Sequence, residues 1–195
     1  MLRNTQVGWG WPSRAFHWTV AVLVVALFTQ GLLMDQFPRE ARGYQIWLHA
    51  AVGSSLLAIM VARFVWFLMN RVPDDPPGTS RLQSKAAHLV HWALYGLIFL
   101  TMMAGWLLAG TLRTPVDVQM FGVFTLPQLA SGRSLHELFE ETHEIAGYLL
   151  IALAGLHAAA ALWHHYVLRD DVLVRMLGRR PSGEVSRSLE RTQTV

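Results

Sequence analysis

No cysteine occurs among the 195 residues. That absence excludes disulfides, thiolate-held zinc, iron–sulfur clusters and covalent haem attachment through Cys-x-x-Cys-His. Charge is scarce as well: 15% of the residues are Asp, Glu, Lys or Arg, against about 25% in an average soluble domain. With 53% hydrophobic residues and a net charge of only +3, the chain is neither a disordered segment nor a nucleic-acid-binding protein. Those classes need low hydrophobicity or a dense basic surface.

The charges that exist avoid four stretches, residues 15–34, 43–62, 86–112 and 145–168. Each is rich in Leu, Val, Ala, Ile, Phe and Trp, and a helix needs about 20 apolar residues to cross roughly 30 Å of hydrocarbon. Soluble helices of this length carry a charged face; these do not. The expected fold is therefore an all-α integral membrane protein, a four-helix transmembrane bundle, with helices near 13–34, 43–70, 84–112 and 136–168. Residues 1–180 read as one domain and 181–195, polar and rich in Ser and Thr, as a flexible cytoplasmic tail. The first apolar stretch is longer than the roughly 7–15 residues of a signal peptide and lacks a small-x-small site after it, so it is expected to be a retained helix. Pro12 suits its first turn, and Trp9 and Trp11 suit the membrane interface.

An even number of spans puts both termini and the middle loop on one side. That side holds 12 of the 16 Lys and Arg residues, so the positive-inside rule places both termini in the cytoplasm. The long outer connection between the third and fourth helices contains Met120-Phe121-Gly122-Val123-Phe124, apolar enough to lie along the membrane surface. A loop of this length is usually functional or partly folded.

Nine histidines in so apolar a chain need a reason, because ionisable side chains at membrane depth are costly. His143 and His157 lie fourteen residues apart on the fourth helix. At 100° per residue they share a face within about 40°, separated by about 21 Å. His17, near the cytoplasmic end of the first helix, falls at the depth of His157. His49, near the outer end of the second, falls at the depth of His143. Antiparallel helices thus generate two histidine pairs stacked across the bilayer, which suits two non-covalent, bis-histidine haems b. Two separated pairs with no intramembrane carboxylate make poor tetrahedral zinc sites. Gly53 and Gly147 each follow an outer ligand by four residues and bare the helix surface, either for a flat macrocycle or for close helix packing. Arg63, fourteen residues beyond His49, falls near the inner pair, either to meet a haem propionate or to snorkel to the headgroups.

The spare histidines collect at the cytoplasmic end. His88 and His91 open the third helix, His164 and His165 close the fourth, and Trp92 and Trp163 stand among them. Together they are candidates to line a site beside the inner haem that exchanges protons; individually they read as interfacial residues. His136, beside Glu137, Glu140 and Glu141, reads as a solvated helix start.

Phe16-His17-Trp18, His49-x-x-x-Gly53, His143-Glu144-x-x-Gly147 and His157-Ala-Ala-Ala-Ala-Leu-Trp-His164-His165-Tyr166 resemble the bacterial cytochrome b561 family. The likeness runs on through Asp171, Leu173 and Arg175-Met176 and spans roughly Trp11 to Pro181. It implies a four-helix, inner-membrane, di-haem electron carrier with iron ligands at His17, His49, His143 and His157, the same four that spacing selects. In its superoxide oxidase branch the resemblance implies electrons taken from superoxide at the periplasmic face and passed to ubiquinone. A positive outer face would steer that anion, whereas the outer segments here carry four Arg against seven Asp and Glu. The alternative is a membrane anchor relaying electrons between the quinone pool and a separate periplasmic redox protein. The short outer segment around residues 35–43 offers such a partner little surface.

Overall fold

The computed structural model describes residues 1–178. The expected tail at 181–195, and with it Arg187 and Arg191, lies outside the described residues, as do Arg179 and Arg180. Four long helices form the body: α1 (Trp11–Leu32), α2 (Arg39–Met69), α3 (Arg81–Thr111) and α4 (His136–Trp163). A π-helical turn, His164–Leu168, extends α4, and a short α5 (Val172–Leu177) follows. With that turn included, all four long helices are apolar and long enough to cross a membrane.

Helices α2 and α3 have 31 residues each. At 1.5 Å per residue that is about 46 Å, longer than the hydrocarbon core. Their charged first turns, Arg39-Glu40 and Arg81, therefore project past it, and both helices begin ahead of the charge-free stretches that announce them. Ser80 caps α3: its hydroxyl accepts from the Gln83 N–H while the Gln83 side chain accepts from the Ser80 N–H, a reciprocal capping box.

Helix α3 packs closely on α4, α1 on α2, and α2 on α3, while α1 and α4 approach each other at few points. Leu56 and Met60 of α2 are fully buried, ringed by Val20, Val24 and Leu27 of α1, Ile98 of α3 and Leu150 of α4. Outward-facing Val22, Val25, Leu149 and Leu156 are exposed. Helices apolar all round belong in lipid.

The outer connection is partly folded. Gln119–Met120 (β1) pairs antiparallel with Phe124–Thr125 (β2). Phe121 and Gly122 both take positive φ, 53° and 66°, and Val123 N–H donates to Met120 C=O at 3.1 Å, the geometry of a type I′ turn. The Phe121 N–H donates to Ser55 Oγ at 2.7 Å, and Trp106 Nε1 donates to Pro127 C=O at 3.0 Å. Ser55 lies six residues beyond His49, about 9 Å further along α2. The segment forms a hairpin against α2, with the Phe121, Val123 and Phe124 side chains left exposed. The left-handed residue pair closes it, and Ser55 satisfies an N–H that hydrocarbon could not.

Candidate functional site

The cleft left where α1 and α4 stand apart holds the histidines. His49 of α2 and His143 of α4 face each other with ring centres 6.0 Å apart. His17 of α1 and His157 of α4 do the same at 6.2 Å. A metal taking one imidazole nitrogen from each side at about 2 Å, with roughly 1.1 Å from nitrogen to ring centre, separates the centres by about 6.2 Å. The ring-centre separations of both pairs match that spacing, with ring planes at 76° and 62°. Among the described residues no group of three or more His, Cys, Asp or Glu gathers to hold a metal. The donor sets are histidine pairs, which could hold a haem.

The outer pair borders a cavity of about 530 Å³, inside the usual ligand-site range of about 300–1,000 Å³. Gly53 and Gly147 line it, and a Cβ added to either would meet nothing within 4 Å. Both therefore open space rather than close a helix contact. Nδ1 of His143 donates to the Thr101 carbonyl at 2.8 Å, which fixes the tautomer and leaves Nε2 unprotonated and able to act as a ligand. One turn on, a Cβ at Gly105 would sit 2.8 Å from Cε1 and 2.9 Å from Nδ1 of that ring, so only glycine admits His143 in this position. Nδ1 of His49 is buried without a hydrogen-bond partner; such orphans gather where a ligand or redox group belongs. Asp35, Glu140 and Glu144 also line the cavity and make its rim acidic.

At the inner pair, Arg63 reaches His17, with Nη2 3.4 Å from Nδ1. Its Nε donates to the Tyr95 hydroxyl at 3.0 Å, and its guanidinium carbon lies 5.4 Å from the centre of that ring. The side chain is thus held inside the bundle rather than extended to the headgroups. The His91 ring lies 5.2 Å from that of His157, too close to face it across an iron. It stands beside the pair as a third imidazole.

The remaining cytoplasmic-end candidates do not converge. Trp92 packs against Phe64, Phe67 and Tyr95, and Trp163 is exposed. Nδ1 of His88 donates to the Ser84 carbonyl of its own helix at 2.8 Å. His165 meets Tyr166 edge-on, and His164 pairs with Asp170. His136 corrects its reading as a solvated helix start: its Nδ1 lies 3.1 Å from Thr111 Oγ1, and its Nε2 lies 3.6 Å from Glu140. It ties the start of α4 to the end of α3, because the hairpin returns the chain against α3.

Thr101, Gly105, Tyr95 and Asp170 escape sequence reasoning. Thr101 acts through its backbone carbonyl, which any residue supplies. Gly105 alone leaves a signal, since an interior helical glycine costs about 1 kcal/mol and needs a packing reason.

Residues 8–179 match the family described as prokaryotic cytochrome b561. Cytochrome b561 homolog 2 of Escherichia coli (strain K12) is 32% identical over 186 residues, covering 92% of this chain and 96% of its own. The "Probable superoxide oxidase CybB" of Yersinia pestis is 27% identical over 164 residues, covering 84% and 92%. Cytochrome b562 of Cereibacter sphaeroides is 28% identical over 170 residues, covering 84% and 91%. With its membrane-crossing helices and paired imidazoles, the chain belongs to the prokaryotic cytochrome b561 family of transmembrane b-type cytochromes.

Proposed function

We propose that this chain is a di-haem cytochrome of the bacterial inner membrane, both termini cytoplasmic, passing single electrons from a donor at the periplasmic face to ubiquinone in the bilayer. The observation that carries this reading is the pair of imidazole facings at 6.0 and 6.2 Å, set about 21 Å apart by one helix. Haem b, held without covalent bonds between histidines, would supply one-electron chemistry there. His49 and His143 hold the periplasmic-side group, with Gly53, Gly147 and Gly105 leaving room for it. His17 and His157 hold the cytoplasmic-side group, with the Arg63 guanidinium placed to meet a propionate.

Quinone reduction consumes protons, so its site needs exchangeable groups beside a haem. His91 supplies one next to His157. At the outer end Val118 and Leu126 of the folded-back connection form part of the cavity wall, which favours the inner end for a lipid-borne substrate. Replacing His91 with Phe is expected to leave both haem spectra intact and slow haem reoxidation by ubiquinone; unchanged reoxidation would move the pocket.

Two donors remain in contention, each with its own support. Superoxide is supported by the name of the Yersinia relative and by the short outer segment. A separate periplasmic redox protein is supported by the acidic rim of Asp35, Glu140 and Glu144, which repels an anion. Stopped-flow mixing of the purified protein with superoxide separates them: rapid haem reduction supports the enzyme, and none supports the relay.

A further inference from the structure

Helices α1 and α4 stand apart, and among the described residues two ring contacts cross the gap between them. At the inner end His17 meets His157. Further out, the Phe28 ring of α1 meets the Tyr148 ring of α4 edge-on, with centres 5.5 Å apart and planes at 82°. Along the helices this second contact lies about 14–16 Å from the first. Phe28 and Tyr148 both line the outer cavity.

The other sides of that cavity are obstructed. Helix α1 packs on α2, and α3 packs closely on α4. Between α2 and α3 the outer connection covers the wall: Val118 and Leu126 line the cavity, the Val116 N–H donates to the Ala109 carbonyl at 3.2 Å, and Trp106 holds Pro127. The mouth carries Glu140, Glu144 and Asp35, with no Lys or Arg among the lining residues. Arg42 lies 3.7 Å from Asp35 and offsets that one charge, but the mouth as a whole repels carboxylates. The α1–α4 side differs. Val25 and Leu149, beside the ring pair, are exposed and apolar, so this side faces lipid. Gly31 and Gly147 line the cavity there without a side chain to block it. A boundary with so few contacts opens at small cost.

We propose that the cleft between α1 and α4 is the route by which haem passes between the bilayer and the outer site, with the Phe28–Tyr148 ring pair as its cover. The proposal rests on the reading that His49 and His143 hold a haem. Parting the two rings opens the cavity to the acyl chains, and a flat, mostly apolar molecule bearing two propionates then avoids the acidic mouth. Closed, the pair keeps the loaded site apart from lipid. Buried Leu56, Met60 and Leu150 belong to the core between this path and the inner histidines, so the cover acts on the outer site alone.

The chain has no cysteine, so a variant with Phe28→Cys and Tyr148→Cys carries its only two thiols across the gap. The full-length, haem-loaded variant is placed in phosphatidylcholine nanodiscs and bridged with a short bis-methanethiosulfonate. Haem capture by excess apomyoglobin is then followed at the two haems' separate absorption bands. Bridging is expected to slow loss of the outer haem at least tenfold and leave loss of the inner haem unchanged; cleaving the bridge with a thiol reductant restores the faster rate. Bridged and cleaved samples are the same protein, so misfolding does not produce the difference. Phe28→Ala is expected to speed outer-haem loss at least tenfold, and Phe28→Tyr to keep the wild-type rate. Equal outer-haem loss from bridged and cleaved protein overturns the route and leaves the outer haem standing, as does equal slowing of both haems. If the wild-type protein holds no haem between His49 and His143, the reading of that pair falls and the route with it.

Discussion

The carbonyl oxygen of Thr101 on α3 takes the Nδ1 proton of His143 on α4 at 2.8 Å. A helix that supplies no proposed iron ligand of its own thus sets the tautomer and the aim of a histidine proposed as one. Gly105, a turn further on, leaves the volume that the ring occupies. Gly105→Ala drives a methyl group into that imidazole, and overpacking of this kind costs about 1–3 kcal/mol. The expected outcome is outer-haem retention weakened about tenfold with the inner haem unaffected, read by haem-to-protein ratio after dilution in detergent.

The two pairs make separable predictions. Pyridine haemochrome assay is expected to give two haems b per chain; one or none would break the pairing. His143→Ala is expected to remove mainly the outer haem and His157→Ala mainly the inner one, since each ring faces a different partner. Equal loss from both variants would indicate unfolding instead, and low-temperature absorption spectra resolve the two outcomes.

The helices and the histidine depths were legible because both follow from one-dimensional quantities, the length of charge-free runs and the rise per residue. His17 meets His157 and His49 meets His143 because antiparallel helices bring matching depths together, and His91 shares the inner depth beside His157. The hairpin was not legible. An apolar pentapeptide carries no sign of where it turns, and the Phe121 N–H finds its partner in the Ser55 hydroxyl, 66 residues away. The inner proton site was only half legible. Composition marked a histidine-rich end, but which rings face inward depends on local partners such as Ser84 and Asp170.

Orientation is open to a direct check. Charge asymmetry places both termini on the cytoplasmic side. A phosphatase fused to the C-terminus, active only in the periplasm, is expected to stay silent, and the same reporter in the connection between α1 and α2 is expected to be active. The reverse pattern would exchange the donor and quinone ends.

The last prediction concerns Arg63, whose Nε is held by Tyr95 and whose Nη2 lies 3.4 Å from His17. A fixed positive charge beside a haem favours the form that carries the extra electron, so it raises the reduction potential. Inside a protein, at an effective dielectric constant of about 20 and a separation of about 10 Å, the interaction is worth roughly 1.7 kcal/mol. For a one-electron couple this corresponds to tens of millivolts. Arg63→Gln is therefore expected to lower the potential of the inner haem by that order and leave the outer one unmoved. Tyr95→Phe keeps the ring under the guanidinium but removes the hydroxyl that Nε reaches. Arg63 keeps its charge in that variant and loses its anchor, so a smaller shift in the same direction is expected. Redox titration followed at the two haems' separate absorption bands tests both. A drop at the outer haem alone would place Arg63 at the other end of the electron path.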